Sequence, residues 1–152
     1  MTAKPRLATT FAEEEQSPGL LLWRVTNRWQ AAQRAALRPH RLTHGQFVLL
    51  ASLTWLDRDA PVTQRQLASH AVMDEMMTSQ VVRSLETRGL VRRLPHPTDA
   101  RARDISVTDE GVALANRAIV DVEACDRRFF AVLGDRLPAV TRALASLSHA
   151  DS

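Results

Sequence analysis

Asp74-Glu-Met-Met-Thr-Ser-Gln-Val-Val-Arg-Ser-Leu-Glu-Thr-Arg88, followed by Gly89, is the stretch whose reading decides the fold. The Asp74 carboxylate can accept the free amide protons of a first helical turn, and Gly89 suits the left-handed residue that closes a helix, so this segment is expected to be helical. At 3.6 residues per turn, Thr78, Val81, Val82 and Leu85 share one face, while Met76, Ser79, Gln80 and Arg83 share the other. One face packs and the other is free to read a partner. Fifteen residues at the helical rise make a rod of roughly 22 Å, and a DNA major groove about 12 Å wide accepts one such rod. The chemistry of the polar face fits: Gln80 suits adenine, Arg83 suits guanine or a phosphate, Ser79 suits either, and the methionines suit thymine methyls.

Beyond Gly89 the chain alternates through Leu90-Val-Arg-Arg-Leu94, turns through Pro95-His-Pro-Thr-Asp-Ala-Arg-Ala-Arg103, and alternates again through Asp104-Ile-Ser-Val-Thr108. Two strands joined by a Pro-rich loop with Arg at its tip read as a β-hairpin wing. Between Met76 and Arg103 six arginines face two acids, Glu86 and Asp99, a local excess of positive charge. On the other side of the 74–88 helix, Thr63-Gln-Arg-Gln66 fits a capping box and opens a short support helix with Leu67 and Ala68 facing inward.

These residues resemble the winged helix-turn-helix of the MarR family of bacterial regulators. The likeness is carried by Leu67-Ala68, Ser79, Val82, Leu85-Glu86, Gly89-Leu90-Val91, Arg93, Pro97, the triplet Asp99-Ala-Arg101, and Thr108 followed by Gly111. It extends loosely from about Ser17 to the C-terminus, with its specificity between Thr43 and Gly111. The resemblance implies a homodimer that represses transcription and leaves DNA when a small molecule or oxidation acts on it.

The flanking segments read as scaffold. Residues 1–16, with the run Glu13-Glu14-Glu15, show no sustained period and are expected to form a flexible tail. Ser17-Pro18 starts a helix carrying Leu22, Val25, Trp29, Ala32 and Ala36 on one face to about Leu37, and Pro39 ends it. Thr43-His-Gly-Gln46 is a second capping box, opening a helix to about Leu56. Thr108-Asp-Glu caps a long helix to about Leu133 with a seam of Val112, Ala115, Ile119, Val122, Phe129 and Leu133, broken by Asp126. Gly134 stops it, and a last helix spans Asp135 to Ser148. The expected architecture is mainly α with a small β wing. It comprises a tail at 1–16, a winged helix-turn-helix DNA-binding domain at 43–108, and a helical dimerisation region formed by 17–38 and 109–149.

At 152 residues the chain is one domain-sized unit. Its net charge is only +3, and 19 of its 20 basic residues are Arg, so charge alone says little about partners. No run of 18 apolar residues occurs and no signal sequence opens the chain, so a cytoplasmic protein without a membrane span is expected.

The expected DNA-binding residues are Gln64, Met76, Ser79, Gln80, Arg83, Arg92, Arg101 and Arg103. Asp99 orients Arg101, which would enter a narrow minor groove, whereas an ordinary solvated hairpin would hold only a weak ion pair there. Met76 and Met77 have two open readings, thymine contact or gap filling. The family resemblance places Trp23, Trp29 and Trp55 on helices that wall an effector pocket, with His40 beside it; an aromatic or phenolic ligand is one reading, and buried aromatic core is the other. His40 and His44 straddle a helix boundary with no carboxylate or Cys nearby in sequence, so no metal site is expected, nor any cofactor. Cys125 excludes an internal disulfide and reads as a buried thiol. A Cys-dependent enzyme is disfavoured, since within forty residues of Cys125 only His96 and His149 occur and no Gly-rich or carboxylate-paired site appears. A winged-helix module that binds an acidic protein is the remaining alternative.

Overall fold

The computed structural model describes residues 6–56 and 60–150. Six helices and three strands follow in the order α1 (Pro18–Leu37), α2 (His44–Leu56), β1 (Val62–Thr63), α3 (Gln64–Ala71), α4 (Glu75–Thr87), β2 (Val91–Pro95), β3 (Arg103–Val107), α5 (Asp109–Phe130) and α6 (Leu137–Ser148). The protein is mainly helical with a small antiparallel sheet, as the sequence implies. None of the described helices is long and apolar enough to cross a membrane.

Local chemistry sets the helix starts. The Ser17 hydroxyl accepts from Leu20 N at 3.3 Å. Thr43 with Gln46, and Thr63 with Gln66, exchange side-chain and backbone bonds as reciprocal capping boxes. Asp74 Oδ1 accepts from Met77 N at 2.9 Å, and Gly89 closes α4 at φ 72°.

One apolar core joins α3, α4 and the sheet to the long helices. Leu37, Leu49, Leu50, Leu67, Leu85 and Ile105 are each essentially inaccessible to solvent. Both α1 and α2 lie along α5, and α2 also contacts α3 and α4. The sheet has the order β1-β3-β2, with Val62 opposite Ile105 and Arg93 opposite the same residue from the other side. The two-residue β1 is too short to show a period, and only its pairing with β3 reveals it.

Three sequence expectations change in detail. First, residues 14–16 form a 3-10 turn, Gln16 Oε1 accepts from Ala12 N, and Arg24 Nη2 meets Glu14 Oε2 at 2.5 Å, so the end of the expected tail is tied to α1; residues 1–5 lie outside the described residues. Second, α5 stops at Phe130, the chain tightens into a 3-10 segment at Ala131–Arg136 interrupted by Gly134 (φ 52°), and α6 begins at Leu137 rather than Asp135. Third, the buried face of α5 is Gly111, Leu114, Ala115, Ala118, Val122 and Cys125, rotated from the expected seam because α1 and α2 both press on it.

Asp126 does not break that seam; it anchors it. Trp29 Nε1 and Gln33 Nε2 of α1 both donate to Asp126 Oδ1, at 2.8 and 2.7 Å. Gln33 is fully buried, and its Oε1 has no hydrogen-bond partner among the described residues.

The turn between α3 and α4 carries backbone strain. Val72, 83% exposed, sits in the left-handed region at φ 50°, ψ 46°, where a β-branched side chain crowds its own backbone. Val72→Asn is expected to raise stability by about 1 kcal/mol, read as a rise of the thermal midpoint by roughly 2–4 °C. An unchanged or lowered midpoint would mean the turn is not strained.

Candidate DNA interface

The reading helix α4 is fixed from several directions. Its inward face, Thr78, Val82 and Leu85, is fully buried. Gln46 Nε2 of α2 donates to Ser84 Oγ at 3.0 Å. In its last turn, Glu86 accepts from both Arg93 N and Arg93 Nε, holding β2 against the helix. Arg88 Nη1 donates to the Arg41 carbonyl at 2.6 Å. Thr108 Oγ1 donates to the Gly89 carbonyl at 2.7 Å while also accepting from Gly111 N, so one hydroxyl links the end of α4 to the start of α5.

What remains of α4 faces outward. Gln80 and Arg83 are exposed and Ser79 is half-buried. Met76 is 73% exposed and Met77 54%, whereas the neighbouring Met73 is the methionine packed against the core. The side chains of Ser79, Gln80 and Arg83 make no hydrogen bond among the described residues, which leaves their polar groups open to a partner.

The wing is ordered by its own loop. β2 and β3 pair from Val91 opposite Val107 to Pro95 opposite Arg103. Asp99 Oδ1 accepts from Arg101 N at 2.9 Å, fixing the backbone of that turn. His96 Nδ1 accepts from the amides of Thr98 and Asp99, bracing the same turn. Arg103 Nη1 reaches back to the carbonyls of Ala100 and Ala102, which gives Arg103 a loop-bracing position as well as surface charge.

A cleft of about 470 Å³ between the wing and the start of α3 and α4 collects Gln64, Asp99, Arg101 and Arg103. Arg65 and Glu75 also line it, 3.5 Å apart and both largely exposed. Sequence reasoning passed over this pair; the signal available was an Arg in the first turn behind a capping box. Arg92 lies apart, lining a different cavity with Glu86, Thr108 and Glu110.

The aromatic residues expected around an effector do not converge in the protomer. Trp23 is 69% and Trp55 67% exposed on the surface, and Trp29 is bound to Asp126. His40 lies 2.6 Å from Asp121 Oδ2 and lines a cavity that includes none of the three tryptophans. The reason is helical phase: Trp23 and Trp29, six positions apart on α1, point about 120° from the same direction. Cys125 is buried at 4% exposure.

His44, at the start of α2, sits edge-on to Trp29 with ring centres 4.9 Å apart. Burial lowers its pKa below the ordinary 6.5, Arg34 lowers it further, and Asp126 opposes both. A histidine with a depressed folded-state pKa binds its proton more readily when unfolded. Its stabilising contribution is therefore complete above about pH 6.5 and falls as the pH drops from there toward the lower folded value. Thermal midpoints taken from neutral to mildly acidic pH should decline in the wild type and decline less in His44→Gln; parallel curves would remove His44 as the cause.

The wider comparisons agree with this geometry. Residues 42–102 match the MarR family. Over 122 residues, 80% of this chain and 83% of the relative, the sequence is 41% identical to YdcH, an HTH-type transcriptional regulator of Bacillus subtilis (strain 168). It is 35% identical over 115 residues, 76% of this chain and 81% of the relative, to the HTH-type transcriptional repressor Rv2887 of Mycobacterium tuberculosis (strain ATCC 25618 / H37Rv). The fold superposes on a MarR family transcriptional regulator from Rhodococcus sp. RHA1 with a TM-score of 0.82 at 28% identity, covering 91% of this chain and 97% of that one. It also superposes on CouR from Rhodococcus jostii RHA1, bound to p-coumaroyl-CoA, with a TM-score of 0.78 at 28% identity over 91% and 96% of the two chains. Three of these four carry the name of a transcriptional regulator or repressor. A capped reading helix, an Arg-tipped wing and this pattern of likeness identify the chain as a member of the MarR family of DNA-binding transcriptional regulators.

Proposed function

We propose that the protein is a homodimeric repressor that grips an inverted-repeat operator and lets go when a small organic ligand binds. The observation that carries the DNA reading is the solvent-facing set Ser79, Gln80 and Arg83 on a helix whose other face is locked in the core. In this reading those three residues and Met76 meet base edges in the major groove. Arg101 enters the minor groove, and Gln64, Arg92 and Arg103 meet phosphates.

A two-fold axis is supported by what each protomer leaves uncovered. Leu22, Trp23 and Val25 on α1 and Leu144 and Leu147 on α6 are 45–69% exposed, and α6 contains no buried residue. Covering them with a second copy would set two reading helices about 34 Å apart, one turn of DNA. The ligand part draws support from the 28% identical CouR, whose structure holds p-coumaroyl-CoA.

The test is an electrophoretic shift with the promoter region of the protein's own gene across a salt series. Selective retardation that weakens steeply with salt is expected, because each neutralised phosphate releases counterions. Arg83→Ala should lose about 1–3 kcal/mol of base discrimination, whereas Arg101→Ala should lose affinity mainly at A·T-rich flanks. Absence of any salt-sensitive shift would instead favour a protein-binding winged helix.

A further inference from the structure

The turn at the tip of the wing is built around one imidazole. His96 stands between Pro95 and Pro97. Pro97 confines the backbone of the residue before it to extended angles, and it has no N–H of its own, so Thr98 is the first residue after His96 with an amide to give. His96 Nδ1 accepts from Thr98 N at 3.2 Å and from Asp99 N at 3.1 Å, and the Thr98 hydroxyl lies 3.3 Å from the same nitrogen. A backbone amide can only donate. Nδ1 therefore carries no proton in this arrangement, and the N–H of the ring sits on Nε2.

The other side of the ring faces the sheet. Asp104 Oδ1 is 4.0 Å from His96 Nε2, longer than a hydrogen bond but near enough to attract its N–H. The Asp104 side chain is 13% exposed and that of His96 28%, so the attraction is less screened than at an open surface. Asp104 belongs to the central strand β3, opposite Thr63 of β1 and Leu94 of β2. The imidazole thus links the wing turn to the most firmly paired strand of the molecule.

Two backbone bonds close the same turn, from Ala102 N to the Asp99 carbonyl and from His96 N to the Ala102 carbonyl. Arg101 is exposed within it, its amide given to Asp99 Oδ1, while its guanidinium has no hydrogen-bond partner among the described residues. The backbone is tied and the charged end is left over.

We propose that His96 is the positioning residue for Arg101: its Nε2–H tautomer fastens the Thr98–Asp99 turn, so that the guanidinium is presented to the minor groove on a turn already ordered. This rests on the minor-groove reading of Arg101 and names the side chain that sets it up. Ordering a mobile turn at the moment of binding costs conformational entropy, whereas a turn ordered beforehand has met that cost in folding. His96 needs no contact with DNA for this role, since both of its ring nitrogens are turned toward the protein.

The experiment has two arms, both on the full chain. Long-range proton–nitrogen NMR of the imidazoles at neutral pH should show His96 with its proton on Nε2, the resonance being assigned by its loss in His96→Asn. The operator shift assay then compares His96→Ala, His96→Gln and His96→Asn, each with Arg101 and with Arg101→Ala. His96→Ala and His96→Gln should weaken operator binding roughly tenfold, the scale set by two amide bonds lost from the turn. His96→Asn should stay within about threefold of wild type, because its Oδ1 falls where Nδ1 was and has lone pairs for both amides, whereas the Gln amide lies one carbon too far out. With Arg101→Ala, no change at His96 should cost more than about twofold, since nothing is left to position.

A proton on Nδ1, an Asn variant as weak as the Ala variant, or equal losses with and without Arg101 would overturn the assignment. The two readings fail separately: Arg101→Ala that leaves operator affinity unchanged sinks the minor-groove contact and this role with it, whereas Arg101→Ala that weakens binding beside a silent His96→Ala sinks the role of His96 alone.

Discussion

Gly111→Ala is expected to destabilise the protein by about 3 kcal/mol, the upper end of the usual cost of forcing extra atoms into a packed site. A Cβ at this position would run into the Leu90 carbonyl oxygen and lie 2.8 Å from Val107 Cγ2. The first obstacle is backbone, and it is held in place by the bond from Thr108 N to the same carbonyl, so it cannot swing aside as a long side chain would. Relief requires α5 to move away from β2 and β3, which also loosens the Thr108 link to Gly89 at the end of the reading helix. Gly19 supplies the control: it lies in α1, nothing stands within 4 Å of a Cβ there, and Ala should stabilise by up to about 1 kcal/mol through helix propensity. Thermal unfolding of the two variants should therefore move in opposite directions, with Gly111→Ala falling by roughly 6–12 °C. A Gly111→Ala midpoint equal to wild type would show that the α5 junction is looser than its contacts imply.

The second large effect concerns assembly. Leu144→Asp combined with Leu147→Asp should abolish the dimer and lower operator affinity roughly 100-fold or more, since the second half-site then no longer benefits from tethering. The two leucines are 45% and 66% exposed and the helix that carries them buries nothing. Within one protomer the double change therefore costs little, as surface substitutions usually stay within about 0.5 kcal/mol. A carboxylate placed between two copies, by contrast, must give up its water without a partner. Sedimentation analysis and the operator shift assay read the two consequences. A double variant that stays dimeric and binds operator as tightly as wild type would remove α6 from the interface and with it the two-fold reading.

Much of the framework is legible before any coordinates, because caps and turns are local. Ser17, Thr43, Thr63, Asp74 and Thr108 are each followed within three residues by the amide they satisfy, so the five helix starts they mark are written in short stretches of chain. The same holds for the outward face of α4: once Thr78, Val82 and Leu85 are assigned inward, the 3.6-residue period leaves Gln80 and Arg83 outside.

Other features depend on neighbours distant in sequence. A two-residue strand such as β1 exists only through its bonds to β3. The burial of α5 is divided between α1 and α2, which rotates its inner face toward Leu114, Ala118 and Cys125 and turns Asp126 from an interruption into an acceptor for residues more than ninety positions away. The tryptophans illustrate the same limit, since helical spacing alone does not fix which side of α1 the core will take, and it took Gln33 and Leu37 while leaving Trp23 in solvent.

The amino-acid order by itself determined the helices, the turn between α3 and α4, the wing and the outward polar face of α4, because capping, periodicity and glycine stops act over a few residues. Only the tertiary structure decided the central place of β3 and the inner face of α5. Those depend on which surfaces compete for burial, and that competition is settled between segments far apart along the chain.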